Sequence, residues 1–193
     1  EPTMGIITNV GTSHIELLGS REAIAEAKGE LIRCLPENSV AILNEDDPYV
    51  KAMDSLAKGK TITYGIERNA TCIGSHLRYK KDGIKFTCKC YDEVFDIFLP
   101  MIGEHNVYDA LAAIVAGRVL GIKSNTIRKG LSEFTGTPMR QEIVPFEDIV
   151  ILNDAYNANP SSMAEAIKAL GQLEGKRKIA MLGDMLELGD FSE

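Results

Sequence analysis

The sequence has no stripe of basic residues. Its Lys and Arg are scattered, Asp and Glu outnumber them 28 to 21, and the formal net charge is -7. Binding a nucleic-acid backbone requires cationic side chains to replace counterions, so no nucleic-acid partner is expected. No apolar run reaches the roughly 18 residues of a membrane span. No secretory leader opens the chain, and no methionine either. It begins "EPTMGIITNV", close to the start of a strand, as a cut inside a longer protein would. Tryptophan is absent and aromatics make up 6%. Four cysteines stand at 34, 72, 88 and 90 without a CxxC pair. Cys88 and Cys90, two apart on an expected strand, share a face, and reduced structural thiols in a cytoplasmic protein are the better reading.

What remains is the composition of an ordinary globular protein, 45% hydrophobic and 25% charged. Its 193 residues suffice for one large domain, or one domain plus part of another. "GIITNV" (5–10), "SVAILN" (39–44) and "TITYG" (61–65) read as strands. Between them, Ser20 caps a helix running to about Leu35, with Ile24, Ala27, Leu31 and Leu35 in helical period, and Asp47 caps a helix that opens on Pro48. This alternation predicts an α/β fold, a mostly parallel sheet flanked by helices. Residues 71–99 are β-rich with turn signals at Asp82-Gly83 and Asp92-Glu93, which predicts an antiparallel β extension. An apolar helix over 105–121 and a shorter one from about Ser124 to Phe134 follow. Gly, Thr and Pro cluster in "TGTPMRQEIVP" (135–145), where the division is placed: 1–136 in one domain and 137–193 in the next. After it, "DIVILND", "PSSMAEAIKALGQL" and "KIAMLGD" read as strand, helix and strand, the first βαβ part of a Rossmann-like domain.

Several residues invite a chemical reading beside a bland one. Lys28 shares a helix face with Ile24 and Ile32; it either snorkels its ammonium outward or points into a site. His14, with Thr8 and Asn9, follows the first strand, at the edge where open α/β sheets bind ligands. His105, Asn106 and Asp109 start a helix, as caps or as groups offered to a base or sugar; Asp109 is placed in the first turn, where the dipole favours an anion. Arg140 is a surface ion-pair partner or a phosphate clamp. In "ILNDAYNANPSSM", Asn159 and Pro160 suffice as N-cap and N1. Asp154 and Asn157 are left over, and a strand-end carboxylate suits ribose hydroxyls.

Taken in order, "TNVGTSH", "AKGEL", "GEHNVYDALAA", "GTPMRQE", "DAYNANPSSM" and "GDMLELG" resemble the successive motifs of the Mur ligases, ATP-dependent amide ligases of bacterial cell-wall synthesis. "DAYNANP" and "GDMLELG" look most like the branch that adds D-alanyl-D-alanine to UDP-N-acetylmuramoyl-tripeptide. The resemblance implies ATP and Mg²⁺, a cytoplasmic location, these two small-molecule substrates and a monomer. Lys28 matches a lysine carbamylated in many members, which turns a cation into an anion able to face Mg²⁺, and His14 matches a second ligand of that ion. His105 and Asn106 match the start of the adenine-contacting helix, Arg140 the arginine on the ATP phosphates, and Asp154 the carboxylate on its ribose. Thr8, Asn9, Asn157 and Asn159 fall near substrate. Two departures stand out. Asp109 replaces the family's usual Asn, and an ionised carboxylate accepts but does not donate. No G-x-x-x-x-G-K-[ST] run occurs, so the chain alone is expected to be inactive. A folylpolyglutamate-type or another Mur-type ligase, or a non-catalytic nucleotide-binding module, are the alternatives.

Overall fold

The structure is a computed structural model that describes residues 2–13, 15–80 and 82–188. A six-stranded sheet carries the first part of the chain in the order β1 (Met4–Ile7), β2 (Val40–Asn44), β3 (Lys60–Gly65), β4 (Cys72–Lys80), β5 (Gly83–Cys90) and β6 (Glu93–Leu99). The first three strands are parallel, β4 joins β3 in parallel over two residue pairs, and β4 to β6 run antiparallel. The expected extension is thus part of the same sheet.

Helices cover both faces, beginning with the short α1 (Ile15–Leu18), and β2 shows why its sequence is apolar throughout. Ala41 and Leu43 face a core shared with α2 (Arg21–Cys34) and α3 (Pro48–Ala52), while Ile42 faces the core under α4 (His105–Val119). A parallel strand buried on both sides has no polar alternation. Ser20 caps α2 by accepting from the Ala23 N–H, and Asp47 caps α3 by accepting from Tyr49 and Val50. The second Asp47 oxygen accepts the Val10 N–H at 2.8 Å, tying the loop after β1 to α3. The buried stripe of α2 differs from the expected one: Ile24, Gly29 and Ile32 go inside, whereas Ala27 and Leu31 are exposed. Gly29 lets α2 approach Leu56, which would lie 3.0 Å from an added Cβ.

Cys72, Cys88 and Cys90 are all buried beneath α4, with Cys72 Sγ 3.5 Å from Cys88 Sγ, and Cys34 is exposed. Tyr64 is fully buried in the same core and its hydroxyl has no hydrogen-bond partner among the described residues. Burial pushes that phenol above its ordinary range. Removing an unsatisfied buried hydroxyl spares its desolvation cost, so Tyr64→Phe is expected to stabilise the chain by about 1 kcal/mol. Thermal or urea unfolding checks it, with a lower midpoint contradicting the assignment.

After α4 and α5 (Ser124–Ser132), the chain enters a separate two-stranded sheet. One strand there was not foreseen: β7 (Glu142–Phe146) starts inside the segment where the division was placed and forms an antiparallel hairpin with β8 (Ile149–Asn153). The expected strand over 178–184 is not formed: α6 (Pro160–Gln172) leads into residues paired with no strand, so the βαβ unit lacks its second strand. A strand exists only when paired, and Ile179 and Leu182 have the right composition but remain 63% and 59% exposed. Among the described residues no helix is long and apolar enough to cross a membrane.

Candidate nucleotide-binding cleft

The C-terminal ends of β1 and β2, the N-terminus of α4, the linker before β7, the end of β8 and the start of α6 surround a cleft of about 800 Å³. Parallel topology places it there, because the loops leaving the carboxyl ends of the strands open on this side. Its floor is braced by Asn44, whose Nδ2 donates to the Thr8 carbonyl at 2.9 Å and whose Oδ1 accepts the Asp46 N–H. Asp46 in turn accepts the N–H groups of Ile66 and Arg68, and the Tyr108 hydroxyl at 3.1 Å, fixing α4 against the turn after β3.

The start of α4 departs from simple capping. Glu104 occupies the N-cap without a side-chain cap bond, and Asn106 Nδ2 instead donates to the Ile102 carbonyl at 2.6 Å and lies 3.0 Å from His105 Nε2. The capping reading of His105 and Asn106 therefore fails. Asp109 sits one turn further in than expected, because α4 begins at His105. It lines the cleft with one side open, yet burial by the surrounding protein pushes its carboxyl above the ordinary range, with the His105 charge acting the other way. Among the described residues His105 Nδ1 is buried without a hydrogen bond, and it stands 3.9 Å from Glu165 on α6.

Gly103 makes this corner. Its φ of +89° is left-handed, and an added Cβ would overlap the His105 ring and lie 3.2 Å from Gln141 Oε1. Gly103→Ala is expected to cost about 1–2 kcal/mol from backbone strain alone. Unfolding curves measure the loss, and an unchanged midpoint would refute it.

The opposite wall comes from the second unit. Arg140 stacks its guanidinium over Tyr156, 4.1 Å from the ring centre, and is exposed to the cleft. Met139 and Gln141, on either side of it, both adopt left-handed backbone (φ +60° and +49°). Asp154 lines the cleft and accepts the Gln141 N–H at 3.2 Å. Asn159 is the α6 N-cap, exchanging hydrogen bonds with Ser162 in a capping box. Its Nδ2 also donates to Ser13 Oγ at 3.1 Å, bridging the two units. Asn157 is exposed, bonded to its neighbour's N–H, and does not line the cleft.

Lys28 lies beside the cleft, not in its lining. The side chain is exposed and Nζ donates to the Asn9 carbonyl at 2.7 Å, so the amine leaves the apolar stripe and reaches the end of β1. His14, the expected partner of Lys28, lies outside the described residues. Among the described residues, no three His, Cys, Asp or Glu side chains gather as a metal site. An unmodified ammonium bonded to a carbonyl does not fit Mg²⁺; a carbamate at the same tip would offer oxygens in its place.

Comparison with known proteins decides the family. The profile of the Mur ligase middle domain matches residues 1–117, and that of the Mur ligase glutamate ligase domain matches 139–193. The chain belongs to the Mur ligase family. It is 43% identical over 194 residues to the UDP-N-acetylmuramoyl-tripeptide–D-alanyl-D-alanine ligase of Bacillus subtilis, covering 100% of this chain and 41% of that protein. MurF from Acinetobacter baumannii superposes with a TM-score of 0.93 at 31% identity, over 99% of this chain and 42% of that one. MurF from Thermotoga maritima, solved in complex with ADP, gives 0.89 at 26% identity, over 99% and 44%. The chain thus spans about two fifths of the length of the Mur ligases it matches.

Within this Mur ligase chain, the structure gathers Thr8, Asn9, His105, Asn106, Asp109, Arg140, Asp154 and Asn159 around one cleft. Sequence reading passed over three residues that shape it. Gly103 stands just before "EHN", and its signal was the glycine itself. Glu104 binds the Tyr79 hydroxyl at 2.7 Å, and burial followed by Glu104 pushes that phenol up to about 12. Gln141 is buried at the cleft wall, where a Gln between Arg and Glu reads as surface.

Proposed function

We propose that the full-length protein containing this chain is an ATP-dependent amide ligase that joins D-alanyl-D-alanine to UDP-N-acetylmuramoyl-tripeptide in the cytoplasm. In this reading residues 1–136 belong to the central ATP-binding domain and 137–193 begin the C-terminal one. The observation that carries it is the cleft, which gathers residues of four of the six ordered motifs, in a chain that superposes on an ADP-bound relative.

The reaction has two steps. The terminal carboxylate of the tripeptide attacks the γ-phosphorus of ATP, forming an acyl phosphate and releasing ADP. The amine of D-alanyl-D-alanine attacks the acyl carbon and loses a proton, and phosphate leaves with the bonding pair. Such transfers depend mainly on positioning and charge stabilisation. His105 and Asn106 hold the base, Asp154 accepts from the ribose hydroxyls, and Arg140 meets the phosphates as the second unit closes. Thr8, Asn9 and Asn159 face substrate. Asn157, on the α6 approach, meets the incoming dipeptide only if closure carries it inward. Mg²⁺, when bound, would neutralise phosphate charge, and carbamylated Lys28 and His14 are the residues to hold it.

Substrate profiling of the full-length protein tests this reading. With UDP-N-acetylmuramoyl-tripeptide and ATP, phosphate release is expected with D-alanyl-D-alanine and not with glutamate or diaminopimelate. Turnover with glutamate or diaminopimelate instead would assign it to another branch.

A further inference from the structure

Gln141 is a buried side chain with nothing to bind. It is 9% exposed, its Oε1 is shut off from water without a donor, and its amide bonds to no described residue. Buried carboxamides are rarely left so, because an unpaired buried polar group is costly. Its surroundings point to a ligand. Gln141 lines the cleft, and its Oε1 and His105 Nδ1, which has no hydrogen bond among the described residues and faces Glu165 at 3.9 Å, lie 3.2 and 2.9 Å from where a Cβ on Gly103 would stand. Glycine at 103 lets the His105 ring fill that point, beside the carboxamide. The backbone holds the carboxamide in place: φ is left-handed at +49°, and the Gln141 N–H is occupied by Asp154.

Building on the ligase reading, we infer that Gln141 recognises the edge of the nucleobase and makes the site selective for adenine. A carboxamide offers one acceptor and one donor side by side. Adenine offers the complement, the N6 amine and N7, whereas hypoxanthine and guanine present two acceptors, O6 and N7. A half-turn of the amide exchanges its two atoms, so the pair meets the base in either order. Asp154, which anchors the Gln141 backbone, then stands beside the ribose. Base and sugar recognition are thereby linked through one hydrogen bond.

The test measures kcat and KM of the full-length protein for ATP, for ITP, which carries O6 in place of the N6 amine, and for 7-deaza-ATP, which lacks N7. The wild type is expected to show KM values roughly tenfold or more higher for both analogues. Gln141→Met keeps the size and removes both hydrogen-bonding atoms. It should raise the KM for ATP about tenfold, leave that for ITP unchanged and spare kcat, so that the preference collapses. Gln141→Glu keeps an acceptor for the N6 amine and should retain a preference for ATP over ITP. A wild type indifferent to the analogues overturns the inference even if Gln141→Met fails to fold, and so does a preference that survives in a folded Gln141→Met. Absence of turnover with every nucleotide removes the ligase reading itself, an outcome distinct from an active enzyme without base preference.

Discussion

Lys28→Ala in the full-length protein should lower turnover by roughly 10²- to 10³-fold, the range seen when a preorganised charge-stabilising group is removed. The amine already reaches the end of β1, where it donates to the Asn9 carbonyl at 2.7 Å, and Asn9 lines the cleft. Two roles fit that position. As an ammonium, Lys28 only ties α2 to β1. As a carbamate, formed when the neutral amine attacks CO₂ and loses a proton, it turns an anion toward the nucleotide side. Lys28→Arg separates them, because Arg restores a donor for the carbonyl yet forms no stable carbamate. The carbamate role predicts that Lys28→Arg is as inactive as Lys28→Ala, and that a short-chain carboxylic acid or bicarbonate partly restores Lys28→Ala. Recovery of turnover in Lys28→Arg would assign the residue to the tie alone.

The second large effect is at Arg140. Arg140→Ala should reduce kcat by about 10²- to 10³-fold with a smaller change in KM, because a guanidinium on the transferring phosphate matters most as charge is redistributed in the transition state. The geometry adds a condition. The guanidinium is held flat on Tyr156, 4.1 Å from the ring centre, between two residues of left-handed backbone. Lysine supplies charge without the planar fork or the stacking, so Arg140→Lys should recover little. Full recovery in Arg140→Lys would mean that charge alone suffices.

Much of the fold was legible because its signals are local. Ser20, Asp47 with Pro48 and Asn159 with Pro160 mark helix starts by the chemistry of the first turn, and each caps the helix it was expected to cap. The strands of the main sheet announced themselves by apolar runs between turn residues. What failed depended on distant partners. Strand β7 carries Pro145 and adjoins the Gly-Thr-Pro cluster at the domain division, so no strand was expected there. The proline is tolerated there because β7 belongs to a two-stranded hairpin. Residues 178–184 have a strand's composition without a paired neighbour.

The site follows the same division. The motifs named its residues, but a local pattern does not say which side chains share a cleft. Asp154 and Arg140 come into it through the β7–β8 hairpin and the linker, Asn157 turns away, and Lys28 lies alongside. Gln141 was invisible because its distinction is a left-handed backbone at a residue other than glycine, which places a polar side chain indoors.

The most direct test is a crystal structure of the full-length protein with a non-hydrolysable ATP analogue. The adenine should lie against Gly103, His105 and Gln141, the ribose within hydrogen-bonding distance of Asp154, and the phosphates should run toward Arg140 and the end of β1. A nucleotide bound elsewhere, with this cleft filled only by water, would contradict the account.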